Sequence, residues 1–133
     1  MFQTTNNGYT PLMVAAQQGA DDAIQILLSH GANPDKVEKT GNTALEAAIQ
    51  KKLTQTSLLL LARTKVTGER AARILRQICR FGLETVANMF LDNIRNYDEG
   101  EKRNILRNGL KAAAEFGEDK LVHLIFKEVR HNI

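Results

Sequence analysis

The stretch Gly8-Tyr9-Thr10-Pro11-Leu12-Met13-Val14-Ala15-Ala16-Gln17-Gln18-Gly19 is answered by Gly41-Asn42-Thr43-Ala44-Leu45-Glu46-Ala47-Ala48-Ile49, written 33 residues further on. Gly8 pairs with Gly41, Thr10 with Thr43, Leu12 with Leu45, Ala15 with Ala48, Leu27 with Leu60 and Leu28 with Leu61, all at that one offset. A fixed period of this kind marks stacked helical repeats. A single repeat cannot bury its apolar face alone, so stability is expected from contacts between neighbours, with atypical terminal units shielding the stack.

Local signals agree with the period. Thr10 is a good N-cap, and Pro11 follows where a helix tolerates proline because that amide has no intrahelical partner. Leu12, Ala15 and Ala16 form an apolar stripe at helical spacing, and Gly19 permits the turn that ends it. A second helix is expected from Asp21 and Asp22, whose carboxylates suit the positive end of the helix dipole, through Ile24, Leu27 and Leu28 to a left-handed Gly31. Asp35 to Asn42 is polar and turn-prone, as a projecting loop or short hairpin would be. In the next unit Thr43 and Glu46 have the spacing of a capping box, and the second helix is expected over Thr54 to Ala62.

The text Gly8-x-Thr10-Pro11-Leu12-x-x-Ala15-Ala16-x-x-Gly19, followed by Leu27-Leu28-x-x-Gly31-Ala32-Asn33, resembles the ankyrin repeat. The second unit keeps Gly41, Thr43, Leu45, Ala48, Leu60 and Leu61. It departs at Ala44 for the usual proline, Lys52 for the inter-helix glycine and Thr64-Lys65 for Gly-Ala. The resemblance covers about residues 5 to 66. Beyond it the rhythm continues: Leu75, Ile78, Cys79 and Gly82, then Leu110, Ala113, Ala114 and Gly117, repeat the order of Leu12, Ala15, Ala16 and Gly19. Asp98 and Glu101 again have capping-box spacing, which starts the fourth unit's first helix early and carries it to Phe116. The fold class expected is all-α, a solenoid of about four helix-turn-helix units near residues 5–37, 38–66, 67–97 and 98–133 in a single domain. The last two units are expected to lack hairpin fingers.

Composition narrows the function. The chain has 133 residues, enough for one domain, and 43% are hydrophobic but only 5% aromatic, so the core is expected to be Leu, Ile and Ala. The lone Cys79 cannot form an internal disulfide and is read as belonging to a reducing, cytoplasmic setting. Met1 to Asn7 lacks the basic start and apolar core of a secretory signal, and the densest apolar run, Leu58 to Ala62, is too short to span a bilayer. His30, His123 and His131 show no zinc-ligand spacing, and no metal or cofactor is expected. Cys79 stands beside Arg76 and Arg80, which would lower a thiol pKa, but it occupies the place of Ala16 and reads as a small core residue. Phosphate loops, G-x-S-x-G and H-E-x-x-H do not occur, so no enzymatic activity is expected.

In the ankyrin family, hairpin tips and the solvent side of each first helix line a concave groove. Carried over by position, this implies partner-binding candidates Asn7, Tyr9, Lys39 and Asn42 at the tips, with Asn6 and Thr40. Met13, Gln17, Glu46 and Gln50 follow on the first helices, with Gln18 and Lys51. Arg76, Arg80 and Phe81 represent the third unit; Lys111, Glu115 and Phe116 the fourth. The net charge is only +3, but six of its cations lie between Arg63 and Arg80 against one acid, Glu69. Arg73, Arg76 and Arg80 share one helix face. Guanidinium forks match carboxylates, so a partner protein with an acidic segment is the expected ligand. Phe81 and Phe116, each before an inter-helix glycine, read either as exposed hot spots or as rings that close the stack. The alternatives are a regulatory or targeting segment of a larger effector or enzyme, and nucleic-acid binding through the Arg63–Arg80 cluster, which lacks interleaved aromatics. A monomer without membrane contact is expected, with Met13 and Val14 as an apolar route to weak self-association.

Overall fold

Thr10 and Thr43 start helices as their positions predict. In the computed structural model, which describes residues 8–131, Thr10 Oγ1 accepts from Met13 N at 3.1 Å, and Thr43 Oγ1 accepts from Glu46 N at 3.4 Å. Eight helices follow among the described residues, with no strand: α1 (Pro11–Gln18), α2 (Asp21–Ser29), α3 (Ala44–Gln50), α4 (Thr54–Leu61), α5 (Gly68–Phe81), α6 (Glu84–Ile94), α7 (Glu99–Glu115) and α8 (Asp119–His131). They gather into two compact units, Met1–Lys65 and Val66–Ile133.

In the first unit, α1 packs on α2 and on α3, and α3 packs on α4. Leu12, Ala16, Ile24, Leu45, Ala48 and Ile49 are buried, each large aliphatic chain contributing about 1.5–3 kcal/mol. A polar tie joins the second helices, where Thr56 Oγ1 donates to Asp21 Oδ1 at 2.6 Å. The segment between α2 and α3 is organised by Glu38. Its buried carboxylate accepts from the amides of Thr40 at 2.7 Å and Asn42 at 2.9 Å, and from the Thr40 hydroxyl. Backbone donors thereby find partners that no neighbouring strand supplies.

The inner helices α1, α3, α5 and α7 end in the same way. Ala20 N reaches Ala15 O at 3.0 Å, Leu53 N reaches Ala48 O at 3.1 Å, Leu83 N reaches Ile78 O at 3.1 Å and Glu118 N reaches Ala113 O at 2.9 Å. These are the six-to-one bonds of Schellman caps, which require a left-handed residue just before the donor. That residue is Gly19, Gly82 and Gly117 in three cases, but Lys52, at φ 58°, in the second repeat. The sequence departure at Lys52 is therefore absorbed as local backbone strain, without loss of the turn.

In the second unit α5 lies on α7, with α6 and α8 packed outside. Asp98 caps α7 through Gly100 N at 3.1 Å and Glu101 N at 3.4 Å. Glu101 does not complete the expected box. It accepts instead from Gly68 N at 2.7 Å, at the start of α5. The Tyr97 hydroxyl donates to Val66 O, and burial, followed by the Glu101 charge, raises its pKa. Arg95 bridges to the mostly buried Glu128 at 2.8 Å, and Lys102 Nζ donates to Arg95 O at 3.2 Å.

The closest approach of α5 and α7 is at Gly109. A Cβ there would stand 2.3 Å from Leu75 Cδ2, and the Cys79 thiol lies 3.7 Å from Gly109 O. Glycine in mid-helix costs about 1 kcal/mol relative to alanine, and this contact is what it permits.

Two glycine exchanges should therefore act in opposite directions. Lys52→Gly relieves a left-handed side chain and should raise stability by about 1 kcal/mol in a denaturant titration. Gly109→Ala should lower stability by about 1–3 kcal/mol, because the fully buried Leu75 has nowhere to move.

Candidate functional site

Arg73, Arg76 and Arg80 fall within about 60° of one another around α5, and all three are exposed. Arg76 pairs with Glu115 of α7 at 3.4 Å, with both side chains about half exposed, and its guanidinium lies 5.3 Å from the centre of the Phe116 ring. Arg80 lies 5.6 Å from the ring centre of its neighbour Phe81. Both rings are half-buried. Their faces carry arginines, which orients the guanidinium edges without satisfying their N–H donors. Ala72, Arg73 and Arg76 of α5, with Asn108, Lys111 and Glu115 of α7, line a shallow hollow beside this ridge.

The remaining candidates divide by burial. Lys39, Thr40, Gln50 and Lys51 are exposed, while Tyr9, Gln17 and Asn42 are half-buried. Asn42 is partly engaged within its own loop, where its Nδ2 donates to Thr40 Oγ1 at 3.2 Å. Asn6 and Asn7 lie outside the described residues. Met13 and Glu46 are corrected: they are 1% and 0% exposed, so neither presents a side chain to a partner. Both occupy the third position of a capping box, which turns each side chain back toward its own N-cap, where the packing of the first unit covers it. Met13 Sδ accepts from Thr10 N at 3.5 Å, and Glu46 Oε1 accepts from Thr43 N at 3.5 Å. Of the apolar pair Met13 and Val14, only Val14 is exposed.

The basic cluster also divides. Arg63 and Lys65 belong to the Met1–Lys65 unit, and Arg70, Arg73, Arg76 and Arg80 belong to α5. Beside α5 the Glu115 carboxylate of α7 pairs with Arg76, and the guanidiniums of Arg76 and Arg80 lie over the rings of Phe116 and Phe81. His30 Nδ1 lies 2.9 Å from Ile26 O at the end of α2, where it caps the helix. Glu38 was missed from sequence. Nothing in the local text separates it from an ordinary loop acid, because its partners are backbone amides of its own turn.

Cys79 is fully buried against α7. Burial first, and the charge of Glu118 second, push its thiol up to about 12. This is the reverse of an activated nucleophile. Among the described residues no cluster of His, Cys, Asp and Glu is placed to hold a metal, and no helix is long and apolar enough to cross a membrane.

Comparison with known proteins joins these features. Residues 1–70 match the family described as ankyrin repeats, three copies. The chain belongs to the ankyrin repeat family. Similar stretches occur in ankyrin repeat and SAM domain-containing protein 6 of Danio rerio, 46% identical over 46 residues, or 35% of this chain and 6% of that protein. Glycerophosphocholine phosphodiesterase gde1 of Schizosaccharomyces pombe is 42% identical over 43 residues, or 32% of this chain and 4% of that protein. Potassium channel AKT2/3 of Arabidopsis thaliana is 46% identical over 46 residues, or 35% of this chain and 6% of the channel. The chain thus spans only a small fraction of the relatives it matches. Ankyrin repeats form a non-catalytic fold that generally mediates protein–protein interaction.

The thiol offers a direct check of the α5–α7 packing. Cys79 should be unreactive toward a disulfide reagent in the native protein and react rapidly once unfolded in denaturant. The sign of its pH linkage follows from the raised pKa. The native state holds the proton above the ordinary value near 9.0, so stability should fall as pH rises from about 9 toward about 12.

Proposed function

We propose that this chain is a non-enzymatic docking module for another protein, and that an acidic segment of the partner lies along the arginine ridge of α5. The observation that carries the reading is the exposed row Arg73, Arg76 and Arg80, with two of its guanidiniums laid over Phe116 and Phe81. Stacked guanidiniums lose less freedom on binding, and their planar forks donate to both oxygens of a carboxylate at once. The partner must displace Glu115 from Arg76. That exposed pair contributes at most about 1 kcal/mol, so the exchange is inexpensive and holds the ridge in place until a ligand arrives. Lys39, Gln17, Gln50, Tyr9 and Asn42 are the corresponding proposed contacts on the first unit, which presents amide and hydroxyl groups with the single charge of Lys39.

A second reading is supported by the relatives. In the phosphodiesterase and the channel the matched stretch is 4–6% of the whole, so the same module would serve as a regulatory or targeting segment of a larger protein. The two readings share one binding surface and differ in whether the partner is held in the same chain.

Reversing Arg76→Glu with Arg80→Glu should remove the proteins that the wild type retains from a cell lysate, as read by mass spectrometry, while circular dichroism stays unchanged. Recovery of the same proteins by the variant rejects the ridge. A duplex oligonucleotide retained by the wild type at moderate salt would favour nucleic acid instead.

A further inference from the structure

The inner helices repeat one packing face. The residues seven and three positions before the left-handed turn are Leu12 and Ala16 in α1, and Leu75 and Cys79 in α5, and all four are buried. In α5 this is the face on which the next inner helix lies, with Gly109 of α7 against Leu75 and Cys79. The corresponding residues of α7 are Leu110 and Ala114, and there the face comes out uncovered, with Leu110 part-exposed and Ala114 exposed. Leu110 lines a mostly apolar hollow of about 430 Å³ with Leu106 and with Val129 of α8.

The rim of this hollow is mainly basic, with Glu99 as its acid. Arg103 and Arg107 stand one turn apart on α7, both exposed, and neither has an ion pair among the described residues. The neighbouring cation, Lys102, is spoken for by Glu99 and the Arg95 carbonyl. A second copy of this chain meeting the face with its own would set arginine against arginine.

We propose that the α7–α8 face is a second docking site, distinct from the α5 ridge, and that it takes an amphipathic α-helix of a partner protein. That helix presents small residues to Leu110 and Ala114 and carboxylates to Arg103 and Arg107. The α5–α7 contact is the internal precedent for its geometry. Inner helices in this unit meet through a large aliphatic chain on one side and a glycine on the other, so the incoming helix carries Gly or Ala where it crosses Leu110. Its acids lie one and two turns away along α7, where Arg107 and Arg103 stand. The hollow between two helices suits a helical ridge better than a flat bilayer surface.

The test uses the full chain, isotopically labelled, and a synthetic amphipathic peptide of about 18 residues, long enough to run beside α7. One peptide carries Ala and Leu on one face and Glu on its flank; a matched peptide carries Lys in place of Glu. The Glu peptide should shift the amide resonances of Arg103, Arg107, Leu110 and Ala114. The Arg103→Glu and Arg107→Glu double variant should bind it about tenfold or more weakly. In the Arg76→Glu and Arg80→Glu variant the shifts at Arg103, Arg107, Leu110 and Ala114 should titrate with peptide as in the wild type, which separates this site from the ridge. Equal binding of the Lys peptide, or shifts confined to α5, would overturn the proposal. So would a peptide-independent shift of sedimentation to a dimer through this face, or binding of phosphatidylserine vesicles with no response to either peptide.

Discussion

A single left-handed residue at the end of each inner helix sets the architecture. Gly19, Lys52, Gly82 and Gly117 all take positive φ, and in each case the next outer helix begins two residues later, at Asp21, Thr54, Glu84 and Asp119. The turn is closed by backbone bonds that any sequence can make, provided one residue accepts the left-handed conformation. Three of the four outer helices then open on a carboxylate, which suits the unpaired amides at that end. With the turn fixed, inner and outer helices keep one register in every hairpin, and apolar positions recur where neighbours can cover them.

The two units hold their hairpins by different means. In Met1–Lys65 the chain between repeats is a loop organised by the buried Glu38 carboxylate, with Thr56 and Asp21 joining the outer helices. In Val66–Ile133 no such loop precedes α5 or α7. The starts of these helices are tied by Glu101 on Gly68 N and by Tyr97 on Val66 O, and the outer layer by Arg95 on Glu128. The second unit thereby retains the hairpin rhythm while losing the finger text, and its closest packing depends on Gly109 under Leu75.

The proposed docking reading rests on surfaces. The one thiol is buried and holds its proton, so what the fold offers is shape and charge: a stacked arginine ridge on α5 and an apolar hollow with a basic rim on α7 and α8. The ridge was legible in sequence because helical spacing alone aligns Arg73, Arg76 and Arg80. The rim was not, because Arg103 and Arg107 look like ordinary solvated residues until the helix beside them is known to be uncovered.

Caps, turns and the order of helices were determined by the sequence alone, since each rests on interactions spanning three to six residues: Thr10 with Met13, Thr43 with Glu46, Gly19 with Ala15. The Lys52 departure from glycine was visible in the sequence, while its left-handed strain appeared only in the structure. Tertiary structure decided which side chains reach solvent. Met13 and Glu46 look like outward positions by repeat alignment and are buried, while Leu110 looks like core by the same alignment and is part-exposed. Burial depends on whether a neighbouring helix covers a face. That is a property of packing between segments some thirty residues apart, and no local pattern encodes it.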